Sequence, residues 1–248
     1  MNRGSLYLST VDENAHILAR QYGLGLELAE YCTPWFLDRE FRQTDRQVRE
    51  KLSGIGAVVL HAPYSELFPC AIDPMIREVA QLRYRQTIQV ARSYGSRKVI
   101  IHGGYNPRIY YPQWYTPQSV EFWRGFLGEV PEDMVICLEN VFEEEPEMIV
   151  KILEQVNDPR LRMCLDIGHV NAYSAIPAVR WLERCAPWID HFHIHNNDTS
   201  RDSHNPLMEG SLDYRALLAR MEQLCPDATV TLELMDAQSS VRWLLEVN

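Results

Sequence analysis

The stretch DPMIREVAQLRYRQTIQVARSYGSRKVIIHG, residues 73–103, holds a helix, a stop and a strand in direct succession. Asp73 is an N-cap residue, and Pro74 suits the first helical position, where a backbone N–H has no partner in any case. Ile76, Ala80, Tyr84, Thr87 and Ala91 recur at helical spacing, and Gly95 provides the stop. KVIIHG (98–103) then reads as a short β-rich run that ends on His102.

The same alternation continues in both directions. Further β-rich runs are SLYLST (5–10), LGLELA (24–29), AVVLHA (57–62) and MVICLEN (134–140). LRMCLDIG (161–168), IDHFHIH (189–195) and TVTLELM (229–235) complete the set. Helical segments are expected at 11–22, 117–128, 146–157, 174–185 and 213–224. Eight strands alternating with helices imply parallel β/α units. Eight units in 248 residues match the size of a closed (β/α)8 barrel. An open doubly wound sheet would carry a glycine-rich phosphate turn after its first strand, and STVDEN (9–14) has no glycine. With no linker-like or low-complexity segment in between, a single α/β barrel domain over 1–248 is expected.

In such a barrel the active site lies at the C-terminal ends of the strands. Polar side chains stand there repeatedly: His61, His102, Glu139, Asp166, His193 and Glu233 end strands three to eight. Gly168 is expected to permit a tight turn that brings His169 beside Asp166. A closed barrel aims all six strand ends at one point. Unpaired buried carboxylates would neutralise by taking up protons, whereas a divalent cation holds them ionised. Mixed carboxylate and imidazole donors suit Zn2+, Mn2+ or Fe2+, and no cysteine takes part. HIHNNDTSRDSH (193–204) is the densest stretch of such donors.

Composition narrows the partners. A net charge of −10 offers no overall cationic footprint for nucleic acid. No apolar run is long enough to span a membrane, and MNRGSLYLST lacks the apolar stretch of a signal peptide. Cysteines 32, 70, 137, 164, 185 and 225 form no CxxC pair, so buried free thiols in a reducing, cytoplasmic setting are expected.

Taken together, LHAPY (60–64), VIIHGG (99–104), CLEN (137–140), LDIGH (165–169), HIHNND (193–198), DSHNPLMEGSLDY (202–214) and LEL (232–234) resemble the xylose isomerase-like TIM-barrel superfamily. Sugar isomerases, epimerases and endonuclease IV-type apurinic endonucleases belong to that superfamily. The resemblance covers essentially the whole chain. It implies a core metal held by Glu139, Asp166, His193 and Glu233. In the endonuclease branch Glu139 would bridge to a second metal on His61 and His102, and a third would take His169, Asp202 and His204. The cofactor expected is therefore one to three Zn2+ or Mn2+ ions. His195 points to the same strand face as His193 and could replace it, while His191 is expected to be buried and structural.

Two activities follow from this reading. The favoured one is isomerisation or epimerisation of a sugar, sugar phosphate or related polyol, with Glu139 and Glu233 moving protons from opposite walls. His169, His195 and Asn140 would then orient hydroxyls, Tyr64 would shape the pocket, and Glu27 would contact substrate or support a ligand. The alternative is multi-zinc phosphodiester hydrolysis, on an abasic site or on a small phosphoester. The loop YCTPWFLDREFR (31–42) is mixed in charge and HIHNNDTSRDSH carries a single Arg, which argues against a duplex partner. GGYNPRIYYPQWYTP (103–117), with Tyr105, is expected to be either an aromatic lid over a sugar ring or a loop packed on itself or in a homodimer interface. The acidic run 143–145 is expected to be solvated near a helix N-terminus.

Overall fold

The computed structural model describes residues 3–247; residues 1, 2 and 248 of the expected domain lie outside the described residues. Eight parallel strands close into a barrel in sequence order. They are β1 (Leu6–Ser9), β2 (Gly25–Leu28), β3 (Val58–His61), β4 (Lys98–His102), β5 (Val135–Glu139), β6 (Leu161–Asp166), β7 (Ile189–Ile194) and β8 (Thr229–Leu232). All eight expected strands are present. The helix over 74–93 is capped as its sequence requires, with the Asp73 carboxylate accepting from the Met75 amide at 2.8 Å.

Several helices differ from the expectation. The first runs Ala15–Tyr22 rather than from 11, because the Asp12 carboxylate holds residues 12–14 in a turn by accepting from the Asn14 amide. Helix Pro112–Leu127 begins five residues before 117. Its N-terminus is set by Pro112 after an extended Tyr111, and Pro117 is tolerated inside it. The second half of the aromatic segment 103–117 is thus helix. Helices Pro34–Asp38, Phe41–Leu52, Ile167–Tyr173 and Gln238–Val247 were not anticipated. All six cysteines are free; five are buried and Cys32 is half-buried.

Strand alternation divides each strand between two environments. Leu8, Leu26, Leu60, Ile101 and Leu138 join the large core that packs the barrel against its helices. Tyr7, Val59, Ile100, Cys137 and Cys164 form a second, smaller cluster from the opposite strand faces, within the barrel. Above that layer the interior turns polar: Glu27, His191 and Thr231 are fully buried. Gly25 pairs with Tyr7 across β1 and β2, and a Cβ there would lie 2.4 Å from the Tyr7 ring. Gly25→Ala should therefore cost about 1–3 kcal/mol through overpacking, read as a lower urea midpoint at unchanged m-value.

The acidic run departs from its expectation at one residue. Glu144 and Glu145 are exposed, but Glu143 turns inward and its Oε2 accepts from the Val141 amide at 2.6 Å. Burial pushes the Glu143 carboxyl up to about 7, and backbone hydrogen bonds offset only part of that rise. The folded chain thus keeps a proton that the unfolded chain has already released above about pH 4.5. Stability contributed at low pH is lost as pH rises through 4.5 to 7. In urea unfolding of metal-free protein, wild type should lose up to about 3 kcal/mol relative to Glu143→Gln between pH 4.5 and 8. Parallel pH profiles for the two proteins would contradict this account.

Candidate metal centre

The strand ends deliver their side chains to one buried point. His61 and His102, from β3 and β4, place their Nε2 atoms 3.1 and 3.2 Å from the Glu139 Oε2. His61 is held in that orientation by an Nδ1–H that donates to the Ala62 carbonyl at 2.9 Å. The second Glu139 oxygen faces the other way, 3.3 Å from His193 Nδ1. His193 Nδ1 is also 3.2 Å from Glu233 Oε2 and 3.7 Å from Asp166 Oδ2. Ligand atoms of Glu139, Asp166, His193 and Glu233 all lie within 4.8 Å of one another, as do those of His61, His102 and Glu139. Glu139 and Glu233 were expected on opposite walls; their carboxylates instead converge.

A third group sits beside these two. Asp166 ends β6 and caps the next helix, its Oδ1 accepting from the His169 amide at 2.6 Å. His169 is therefore held in the first turn of that helix beside Asp166, with Nδ1–H donated to the Asn140 carbonyl at 2.9 Å and Nε2 3.2 Å from Asp202 Oδ2. His204 reaches the same Asp202 oxygen at 3.0 Å, its Nδ1–H donating to the Glu233 carbonyl. His204 adopts φ 48°, a left-handed conformation uncommon outside glycine. The Asn196–Asn205 bridge and the Glu233 contact hold it there.

His195 joins the third group rather than replacing His193. It is fully buried, stacks on His204 at 3.9 Å, and sets Nε2 3.3 Å from Asp166 Oδ1 and 3.5 Å from Asp202 Oδ1. Gly168 serves this packing. It lies within the helix and not in a tight turn, and a Cβ on it would come 2.0 Å from the His195 ring.

A cavity of about 340 Å3 opens over the centre. His61, His102, Glu139, His169, Asp202, His204 and Glu233 form its floor, and Tyr64, Leu67, Phe68, Tyr105, Phe142 and Tyr173 are among its walls. Tyr64 stacks on His102 at 4.5 Å, and Tyr105 is packed edge-on against Tyr115. No Lys or Arg lines it among the described residues.

Three expected substrate contacts do not reach that cavity. Asn140 is buried and spends both ends of its amide on the Asp166 backbone, at 2.9 and 3.0 Å, which clamps β5 to β6. Glu27 is fully buried beneath His193 and bonded to it, which leaves only the supporting role of its two expected ones. His195 is enclosed as described. Tyr64 and Tyr105 do line the wall. Sequence reasoning missed Tyr173, although it follows His169 by four residues on one helix and so shares its face. Leu67, Phe68 and Phe142 come from loops with no pattern that could have revealed them.

The electrostatics match the donor chemistry of a metal site. Burial alone would raise Glu139 and Glu233, but neighbouring imidazolium charge reverses this, holding Glu139 well below the carboxylate range and Glu233 down at about 2. Burial would lower His204, yet the Asp202 hydrogen bond and the nearby carboxylate charges raise it to about 9. In the protein alone, charge on raised histidines such as His193 and His204 offsets part of what a cation would neutralise, while burial lowers His102. Glu139 Oε1, Asp166 Oδ2, His193 Nδ1, both His195 nitrogens and Asp202 Oδ1 are buried without a hydrogen-bond partner. Buried polar atoms are rarely left so, and all but His195 Nδ1 face donors of the three groups. Such a donor set fits divalent ions. Two other triads, Cys164 with His191 and His193, and Glu27 with His61 and His193, do not. His191 has both nitrogens engaged by Thr229, Thr231 and Glu27, and His193 Nε2 is engaged by Glu27.

An uncharacterised protein of Methanocaldococcus jannaschii is 26% identical over 197 residues, 75% of this chain and 67% of that one. A probable endonuclease 4 of Mycobacterium leprae is 24% identical over 177 residues, 66% of this chain and 68% of its own. A crystal structure of a D-tagatose 3-epimerase-like protein shares the fold, with TM-score 0.76 and 22% identity over 98% of this chain and 96% of that one. Residues 18–247 match the family described as the xylose isomerase-like TIM barrel, and the chain belongs to it.

Proposed function

We propose that the chain is a divalent-metal-dependent hydrolase of small phosphoesters, with up to three ions in abutting donor sets. The observation behind this reading is that all nine donors gather in three adjoining groups at the base of one cavity, two of them sharing Glu139. One ion would take His61, His102 and Glu139; a second Glu139, Asp166, His193 and Glu233; a third His169, Asp202 and His204. Ions held there would polarise an ester oxygen and acidify water.

Charge favours the fuller complement. Glu139, Asp166, Asp202 and Glu233 contribute −4, and Glu27 beneath them makes −5. With one divalent ion, three of those charges are left to protonated histidines such as His204; three ions outweigh the carboxylates by one charge, which attracts an anionic ester. No Lys or Arg in the described cavity wall can supply that positive charge instead. Glu233 is the most exposed of the central carboxylates, with 15% side-chain exposure against 1% for Glu139. It is the member of that set placed to accept a proton from the cavity side, while Glu139 holds its place between two groups. Tyr64, Phe68, Tyr105, Phe142 and Tyr173 exclude water and pack against the apolar part of the substrate. A cavity without cations, on a chain of net charge −10, suits a small ester better than a duplex.

The uncharged aromatic wall also favours a second reading, epimerisation or isomerisation of a neutral sugar with one ion in the central set. Glu139 and Glu233 would then exchange protons with the sugar.

Elemental analysis of protein purified without chelators should find two to three divalent ions per chain, and Asp202→Asn should lose one of them. Hydrolysis of 4-nitrophenyl phosphate or bis(4-nitrophenyl) phosphate should vanish on chelation and fall about 100-fold or more in Glu139→Gln. One ion per chain, with a ketose epimerised and both esters untouched, would establish the second reading. Incision of an abasic-site duplex faster than either aryl ester would replace the small substrate by DNA.

A further inference from the structure

A chain of hydrogen bonds runs through the barrel interior below the metal centre and ends on His193. Lys98, on β4, donates from Nζ to the Thr229 hydroxyl at 2.7 Å and pairs with the Asp190 carboxylate at 2.5 Å. Thr229 Oγ1 lies 2.6 Å from His191 Nδ1. His191 Nε2 is 3.1 Å from Glu27 Oε2, and the Thr231 hydroxyl donates to that same oxygen at 2.6 Å. His193 Nε2 is 3.1 Å from Glu27 Oε2 and 2.9 Å from Oε1, with the aligned bond going to Oε2.

Proton bookkeeping gives this chain one direction. An ionised carboxylate only accepts, so His191 Nε2, Thr231 Oγ1 and His193 Nε2 must all donate to Glu27. A neutral His191 then has its lone pair on Nδ1 and accepts the Thr229 proton, and Thr229 in turn accepts from the Lys98 ammonium. Every donor on the path from Lys98 points towards Glu27, and Glu27 is met from the opposite side by His193.

We infer that Glu27 is the positioning residue of the metal centre, fixing His193 with its proton on Nε2 and its Nδ1 lone pair free for an ion. The ring cannot rotate to offer Nε2 without breaking its bond to Glu27. Nδ1 is the atom that stands 3.2 Å from Glu233 Oε2 and 3.3 Å from Glu139 Oε1, and it has no hydrogen-bond partner. Carboxylates beyond a ligating histidine set its tautomer and raise its basicity in this way. A further consequence is that β2, which contributes no ligand, is tied to the site through Glu27, and β4 is tied to it from below through Lys98.

The inference rests on the reading of His193 as a metal ligand, and its test separates the two. In zinc-loaded protein labelled with 15N-histidine, His193 should show Nδ1 as the coordinated nitrogen and a slowly exchanging proton on Nε2. Glu27→Leu, which removes the acceptor, should weaken one ion of the set by about 10–100-fold in competition with a chromophoric chelator, leaving the others unchanged. Glu27→Gln keeps an acceptor and should recover part of that affinity together with the Nε2–H signal. Should the leucine variant not fold, the wild-type spectrum and the glutamine variant decide the matter. Coordination through Nε2, or zinc affinity unchanged in both variants, overturns the role of Glu27 alone. Failure of His193 to contact any ion overturns the ligand reading and this inference with it.

Discussion

Four carboxylates and six imidazoles are gathered at the mouth of one barrel, and the rest of the molecule is arranged around keeping them there. Glu139, Asp166 and Glu233 meet at a single nitrogen of His193. Such a concentration of negative charge, removed from water, is stable only if positive charge is brought to it. Protonated histidines can do this, as the raised His204 and lowered Glu233 show, but they leave ligand-quality atoms without partners. Divalent ions would satisfy the same charge and the same atoms together.

Support for the centre comes from residues that touch no cavity. Asn140 clamps the ends of β5 and β6, so that Glu139 and Asp166 keep a fixed separation. Asp166 also caps the helix that starts with Ile167, so one side chain both faces the centre and places His169. Glycine at 168 leaves room for the His195 ring, which in turn stacks on His204. A loss at Asn140 or Gly168 would reach the centre by displacing a donor rather than by removing one.

Much of this was legible in the order of residues. Strand ends could be read because β-rich runs stop on charged or imidazole side chains, and barrel closure makes those ends neighbours. Asp202 and His204 stood out as donors, but their grouping with His169 was legible only through family resemblance, since it depends on a left-handed backbone at His204 and a bridge between Asn196 and Asn205. Glu27 was ambiguous for a related reason. A carboxylate at a strand end looks the same in sequence whether it stands above the layer of ligands or below it. Glu143 was misread because its neighbours at 144 and 145 are solvated, and only the fold of the loop after β5 turns it inward.

By itself the sequence determined the number and order of the β/α units, and through their period-two alternation which side chains enter the barrel. It also determined the chemistry available there, because carboxylate and imidazole at six successive strand ends admit few roles. The tertiary structure decided the depth of each side chain, the atom it presents and the walls of the cavity. These depend on distances between residues far apart in the chain, such as Glu27 to His193 and Asn140 to Asp166. No local pattern records such distances, because they are set only when the eighth strand closes against the first.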